Sequence, residues 1–136
     1  MRNIKYRGMS ADKSVWFYGD YIKRETGQIY RDDKLEDDGV MHLIVDNDLI
    51  QEVNGLTVGQ DTGLKDKNGK DIYTGDIVGY STFNLKGVVK YDIKNGCLVV
   101  NINNGTTGRL THKTINECKL KIIGNKYENP ELLKYR

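Results

Sequence analysis

The chain has 136 residues, 38% hydrophobic, 29% charged and 9% aromatic, with a formal net charge of +2. That length suits one domain, or a small domain with an appended layer, and buries enough core to stand without disulfides or metals. No apolar run approaches the ~18 residues of a membrane-spanning helix, and MRNIKYRGM carries no apolar signal core, so a soluble cytoplasmic protein with no membrane association is the expectation.

The composition points to strands. Fifteen Gly stand against one Pro, with nine Tyr, a bias toward tight turns between β-strands. Charge is unevenly placed. From Asp32 to Asp61 nine acids face Lys34 alone, a net −8, and the remainder holds 20 bases against 10 acids, a net +10. Such a split suits internal complementarity, contact with a neighbouring subunit, or a basic surface for nucleic acid. Cys97 and Cys118 lack CxxC spacing and read as small apolar residues of a reducing compartment.

In chain order, residues 2–8 (RNIKYRG) suit a short strand. Val15 to Gly19 (VWFYG) is the most aromatic run and favours a strand, with Trp16 as a core anchor. Asp20–Arg24 and Gln28–Arg31, joined by Glu25-Thr26-Gly27, read as a hairpin. Residues 32–39 (DDKLEDDG) form an acidic loop, Met41 to Val45 a buried strand, and Leu49 to Val53 either a strand or a helical turn. Four Asn-Gly pairs, at 54–55, 68–69, 95–96 and 104–105, signal type I′ hairpin turns. Three of them follow residue 60, which makes the C-terminal half a β-meander. Asp71-Ile72-Tyr73 leads into a turn at Thr74-Gly75, and the strands are expected at Asp76–Tyr80, Gly87–Asp92, Cys97–Ile102, Arg109–Thr111 and Lys119–Gly124, with Ile115–Cys118 a turn or 3₁₀ piece. Five short strands with Gly punctuation fit a small bent barrel of the SH3-like type, entered through Gly-Asp-Ile-Val. Asn129 before Pro130 starts a short terminal helix that Leu132 and Leu133 pin to the body.

The run from Thr57 to Val78, TVGQDTGLKDKNGKDIYTGDIV, resembles the signature of the YopX-like family of bacteriophage and prophage proteins. Val58, Gly59, Gln60, Thr62, Gly63, Leu64, Asp66, Asn68, Gly69, Ile72, Tyr73, Gly75, Asp76 and Ile77 carry the match. KYRGMSADKSVWFYGDYI at the N-terminal end and IIGNKYENPELL at the C-terminal end are similar to the family's opening and closing segments. The resemblance implies a largely β, barrel-containing phage protein with no catalytic residues to carry over. It also implies self-association and a bacterial host cell.

No constellation commits to a reaction. Gly63–Asp71 (GLKDKNGKD) has one residue too many before Gly-Lys, and Asp where a P-loop needs Ser or Thr, so it reads as a charged hairpin turn. Asp46-Asn47-Asp48 lacks the ligand spacing of a calcium loop. His42 and His112 belong to no Cys/His cluster, so neither metal nor cofactor is expected, and Asp20 and Asp76, each after a Gly, read as turn caps. A Cys nucleophile paired in space with either His stays open, as the weakest class. For nucleic acid the candidates are Arg109, Lys113, Lys119, Lys121 and Lys126, with Lys119 and Lys121 side by side on one strand face near Tyr80, Tyr91 or Tyr127.

The sequence thus predicts a mainly β fold with minor α. Residues 1–56 form an N-terminal layer, 57–75 a turn-rich connector, and 76–136 an SH3-like barrel with a terminal helix, the whole one compact unit. Function divides between a non-enzymatic interaction or self-assembling module, with a phage or host protein or its own copies as partner, and a nucleic-acid-binding module using the basic C-terminal face.

Overall fold

The computed structural model describes residues 5–12, 15–37, 39–81, 85–102 and 107–133. The fold is mainly β, as composition implied, and the chain divides into two units, Met1–Gln60 and Asp61–Arg136.

The first unit holds β1 (Tyr6–Met9), β2 (Trp16–Glu25), β3 (Ile29–Arg31), β4 (Lys34–Asp37), β5 (Val40–Asp46) and the first part of β6 (Leu49–Lys65). Its main sheet runs β1-β2-β5-β6, and β1 also pairs with β6, so four antiparallel strands close into a ring. Strand alternation sends Tyr21, His42, Ile44 and Val53 to one face. Ile44 and Val53 are 1% and 4% exposed. Tyr21 Oη lies 2.6 Å from His42 Nδ1, and the Tyr6 ring packs tilted against Tyr21 with ring centres 5.7 Å apart. The His42 ring occupies the place where a Cβ on Gly55 would stand, so that position needs glycine for close approach.

Closing the ring requires β6 to bend. Met9 pairs with Asn54 and Arg7 with Gly59, which leaves residues 55–58 opposite Gly8 alone. The Thr57 hydroxyl bridges this bulge: it accepts the Met9 N–H at 2.9 Å and donates to the Asn54 carbonyl at 2.6 Å. Asn54 Oδ1 accepts the Leu56 N–H.

Several local expectations change here. Leu49 to Val53 is strand, and so is Thr57–Lys65, where turns were expected. Asn54-Gly55 lies in the bulge and is no hairpin turn; neither residue has a positive φ. Asp20–Arg31 forms no hairpin, because β2 is one ten-residue strand whose second half is hydrogen-bonded to β5, from Asp20↔Val45 to Glu25↔Val40. The true hairpin runs from β2 to β5. Its ladder breaks at Gly27 (φ 90) and Gly39 (φ 74), where a Cβ on Gly39 would stand 2.5 Å from the Gly27 carbonyl carbon. Beyond the break β3 and β4 pair with each other as a separate two-stranded sheet. Half of the acidic stretch, Lys34–Asp37, is therefore strand, and the chain folds at Asp32 (φ 52) and Asp33 (φ 61). Two successive positive φ values are the type I′ condition, and Asp tolerates them through its short polar side chain.

The second unit joins the end of β6 to β7 (Asp71–Tyr73), then runs β8 (Asp76–Tyr80), β9 (Leu85–Asp92), β10 (Cys97–Ile102), β11 (Thr107–Arg109), α1 (His112–Cys118), β12 (Lys121–Asn125) and a 3₁₀ turn at Pro130–Leu133. The antiparallel order β11-β10-β9-β8-β12 is a meander whose last strand returns beside the first. Among the described residues no ladder joins β11 to β12. Ile72, Val78, Val89, Val100, Ile102, Leu110, Ile115 and Leu120 form the core.

Ile115–Cys118, expected as a turn or 3₁₀ piece, is the end of α1. Thr111 and Thr114 cap that helix reciprocally, and it stops at Lys119 (φ 50). Asn68-Gly69 and Asn95-Gly96 do lie in turns, but only the Gly of each has positive φ, so both are longer loops rather than two-residue I′ turns. Residues 2–4 of the first expected strand, and the Asn104-Gly105 turn, lie outside the described residues.

Asp66, 6% exposed, ties this unit together. Its Oδ1 accepts the Asn68 and Lys70 N–H groups at 2.9 Å each, and Oδ2 accepts the Ile122 N–H at 3.0 Å, linking the β6–β7 loop to β12. Burial works to raise its pKa. The N–H donors of Ile122, Lys70 and Asn68 outweigh it, helped by the Lys70 charge, and hold the carboxyl below the usual aspartate value.

Two predictions follow from these latches. Thr57→Val leaves the buried Met9 N–H without its acceptor and costs about 1–3 kcal/mol in urea unfolding, whereas Thr57→Ser retains most of the stability. Asp66→Asn turns one acceptor into a donor facing another donor and costs about 1–3 kcal/mol at pH 7. Because the native pKa is depressed, the Asp66 contribution is full above the unfolded value of about 3.9 and is lost as pH falls through the lower native value. The stability gap between Asp66→Asn and the natural chain therefore narrows with acidification, read as urea midpoints at pH 7 and below 3.9.

Candidate interaction surfaces

On the first unit, Phe17, Ile44, Leu49, Asp46 and Gln51, with Trp16 and Tyr18 beside them, line a half-open groove of about 240 Å³. Phe17, Ile44, Leu49 and Gln51 fall on the inner parity of the ring strands, and Asp46 sits at the end of β5 as a carboxylate rim. The opposite parity faces outward and is mixed: Asp20, Arg24 and Glu52 are exposed there beside apolar residues. Ile22 pairs with Leu43 and Val45 with Ile50, and Tyr18, Ile22 and Ile50 are 48%, 47% and 62% exposed. Trp16 is half-buried rather than a core anchor, with the Arg7 guanidinium 4.6 Å from its ring centre.

In the second unit the ladders decide where the predicted cations go. Arg109 and Lys121 lie on β11 and β12, the two edges of the sheet. Through the registers Arg109↔Val99↔Lys90 and Lys121↔Gly79↔Lys86 they share one face, opposite Val78, Val89, Val100 and Ile122. Lys86 and Lys90 were missed by sequence reasoning, although their i, i+4 spacing on one strand was the available signal. None of the four makes an ion pair among the described residues.

The expected pairing of Lys119 with Lys121 on one strand fails. Lys119 is the left-handed C-cap of α1, so the strand begins only at Lys121. Lys113 is on α1, 4.0 Å from Glu117, and Lys126 follows β12 with its ammonium 5.1 Å from the Tyr127 ring centre. Nor do Tyr80 and Tyr91 interleave with the cations: they share the parity of Val78 and Val89, on the other face. Tyr80 packs on the core, and burial pushes its phenol pKa up.

The remaining candidates are structural. Asp76, 2% exposed, accepts the Tyr73 N–H at 2.8 Å as the expected turn cap. Gly63–Asp71 is a hairpin connection held by a 2.7 Å Lys65–Asp71 ion pair. Asp46-Asn47-Asp48 is a turn between β5 and β6 with Asn47 at φ 53. His42 is engaged with Tyr21, His112 is exposed at the start of α1, and Cys97 and Cys118 are free thiols. Among the described residues no three His, Cys, Asp or Glu side chains cluster as a metal site.

These features define a class: a mainly β protein of two units, one a closed four-stranded ring and the other a five-stranded antiparallel sheet with a short helix before its last strand. The chain belongs to the YopX protein family, whose pattern matches residues 5–134. Its fold is similar to the crystal structure of protein EF1440 from Enterococcus faecalis, at 19% identity over 97% of this chain and 99% of that one, with a TM-score of 0.52. Protein yopX from Bacillus subtilis matches at 18% identity over 97% of both chains, with a TM-score of 0.49. No curated protein matches the chain.

Proposed function

We propose that this protein is a non-enzymatic accessory protein of a phage or prophage, working in the bacterial cytoplasm as a protein-interaction or self-assembling module. The observation that carries this reading is the outward face of the ring, where Tyr18, Ile22 and Ile50 are about half exposed and the registers Ile22↔Leu43↔Glu52 and Asp20↔Val45↔Ile50 set apolar side chains beside two carboxylates. Large exposed apolar side chains rimmed by polar ones mark an interface. In the same reading the C-terminal sheet is an SH3-like barrel.

The test is the solution mass by light scattering. A discrete species larger than one chain is expected, and Ile22→Asp with Ile50→Asp reduces it toward one chain while leaving the urea midpoint nearly unchanged. A species of unchanged mass in that variant refutes this face as the contact.

A second reading has its own support. The face carrying Lys86, Lys90, Arg109 and Lys121 gathers four cations on one side of a sheet, which suits a nucleic-acid backbone. Fluorescence anisotropy with a mixed single-stranded oligonucleotide tests it. Binding by this face weakens as salt rises and is lost in Lys86→Glu with Lys90→Glu. Binding that survives the substitution lies elsewhere.

A further inference from the structure

We propose that the groove at the mouth of the ring binds a small organic ammonium compound, its apolar body against Phe17, Ile44 and Leu49 and its charged nitrogen on the Asp46 carboxylate. The inference is separate from the self-assembly reading above and does not depend on how copies associate.

The groove exists because two neighbouring strands end at different levels. β2 and β5 pair from Glu25↔Val40 to Asp20↔Val45. β2 reaches back further, through Gly19 to Trp16, in register with β1. β5 instead stops at Asp46 and turns at Asn47 (φ 53) into β6, with Asp46 opposite Leu49. Gly19 allows close approach where the two strands part, since a Cβ there would meet the Val45 carbonyl oxygen. Below that point β5 no longer fills the space beside β2, and side chains from β2, β5 and β6 surround about 240 Å³. The mouths of β-barrels are recurrent ligand sites. At about 30 Å³ per water this space equals about eight waters, room for one ring or a short chain rather than a nucleotide.

The lining sets the class of ligand. Ile44 is buried, Phe17 is half-buried and Leu49 is half exposed, so the walls are apolar and one side is open. The polar groups that complete the lining include Asp46 and Gln51. Neither side chain has a hydrogen-bond or ion-pair partner among the described residues. Asp48 is exposed in the same turn as Asp46, and no Lys or Arg lines the groove. Arg7 weighs on the other side: its guanidinium lies 4.6 Å from the Trp16 ring centre, although it is buried and outside the lining. Its charge disfavours a second cation on the Trp16 ring, which leaves Asp46 as the anchor. An ammonium there gives the carboxylate a charge-assisted hydrogen bond, and the Gln51 carbonyl oxygen is a further acceptor. An anionic ligand would instead meet two carboxylates.

Trp16 is the only tryptophan of the chain and lines the groove, so its fluorescence reports occupancy, and calorimetry reads the same binding without it. The probe is phenethylammonium, with phenethyl alcohol as its neutral match and phenylpropionate as its anionic one. Nα-acetyl-lysine N-methylamide presents an ammonium as a protein side chain would. Saturable binding of phenethylammonium is expected, at least about tenfold tighter than that of the alcohol or the anion. The capped lysine binds more weakly, because its stem fills less of the apolar groove. Asp46→Asn weakens phenethylammonium by at least about tenfold and leaves the circular dichroism and urea midpoint unchanged, since Asp46 is exposed. Leu49→Ala weakens the phenethyl compounds alike. Equal binding of the alcohol, or binding indifferent to Asp46→Asn, overturns the carboxylate anchor. Tighter binding of the capped lysine overturns the free-ligand assignment in favour of a protein side chain. No saturable signal by either method at millimolar probe overturns the site.

Discussion

Two threonine hydroxyls stand where backbone groups would otherwise complete the ladders of β6. Thr57 takes the Met9 N–H at the point where β6 bends back to meet β1. Thr62 donates to the Ile72 carbonyl at the second irregularity, where Asp61 and Lys65 pair with Tyr73 and Asp71 and three residues face one. A β-bulge strands backbone donors and acceptors, and a buried donor without a partner costs more than a typical hydrogen bond gains. The side-chain hydroxyls remove that cost. Without the Thr57 hydroxyl the ring closes with an unsatisfied Met9 N–H and is correspondingly less stable.

Closure has a consequence for the surface. A four-stranded ring has a small interior, filled by Ile44, Val53 and the Tyr21–His42 pair, and the alternate residues of every strand must point outward. In most solvated sheets those residues are polar. Here Tyr18, Ile22 and Ile50 occupy part of that face among Asp20, Arg24 and Glu52, so the ring displays large apolar side chains in a charged surround. In the other unit the sheet buries its apolar face and displays cations. The molecule therefore presents its distinctive chemistry on exposed side chains, and the hairpin of β3 and β4 adds Arg31, Asp32, Asp33 and Lys34, all exposed. Contact with other macromolecules follows from these surfaces more directly than chemistry on a small substrate does.

Strands of the C-terminal half were legible where they are short, apolar and closed by Gly or Asx residues: Asp76–Tyr80 and Cys97–Ile102 stand where the pattern placed them, whereas Asp71–Tyr73, read as part of a connector, is strand β7. The Thr57–Val78 stretch was legible as a family signature but not as structure. Its polar residues turn out to serve geometry, with Thr57 and Thr62 at bulges, Asp66 latching a loop to β12, and Asp76 capping a turn. Asn-Gly misled at residues 54–55, because the pair serves a bulge as readily as a hairpin when the flanking strand has a partner on both sides. Asp32-Asp33 was read as loop, since Asp-Asp is a rarer type I′ pair than Asn-Gly. The basic face was half visible. Arg109 and Lys121 were named, but their common face with Lys86 and Lys90 depends on registers between strands far apart in sequence. Lys119 left the set because a helix, not a strand, precedes it.

The central claim is that these exposed faces are contact surfaces between copies of the chain. The most direct measurement is the sedimentation of the natural chain over a wide concentration range at moderate salt. The account predicts a discrete assembly larger than one chain. A single chain at every concentration, with its apolar ring face and cationic sheet face both open to solvent, would contradict it.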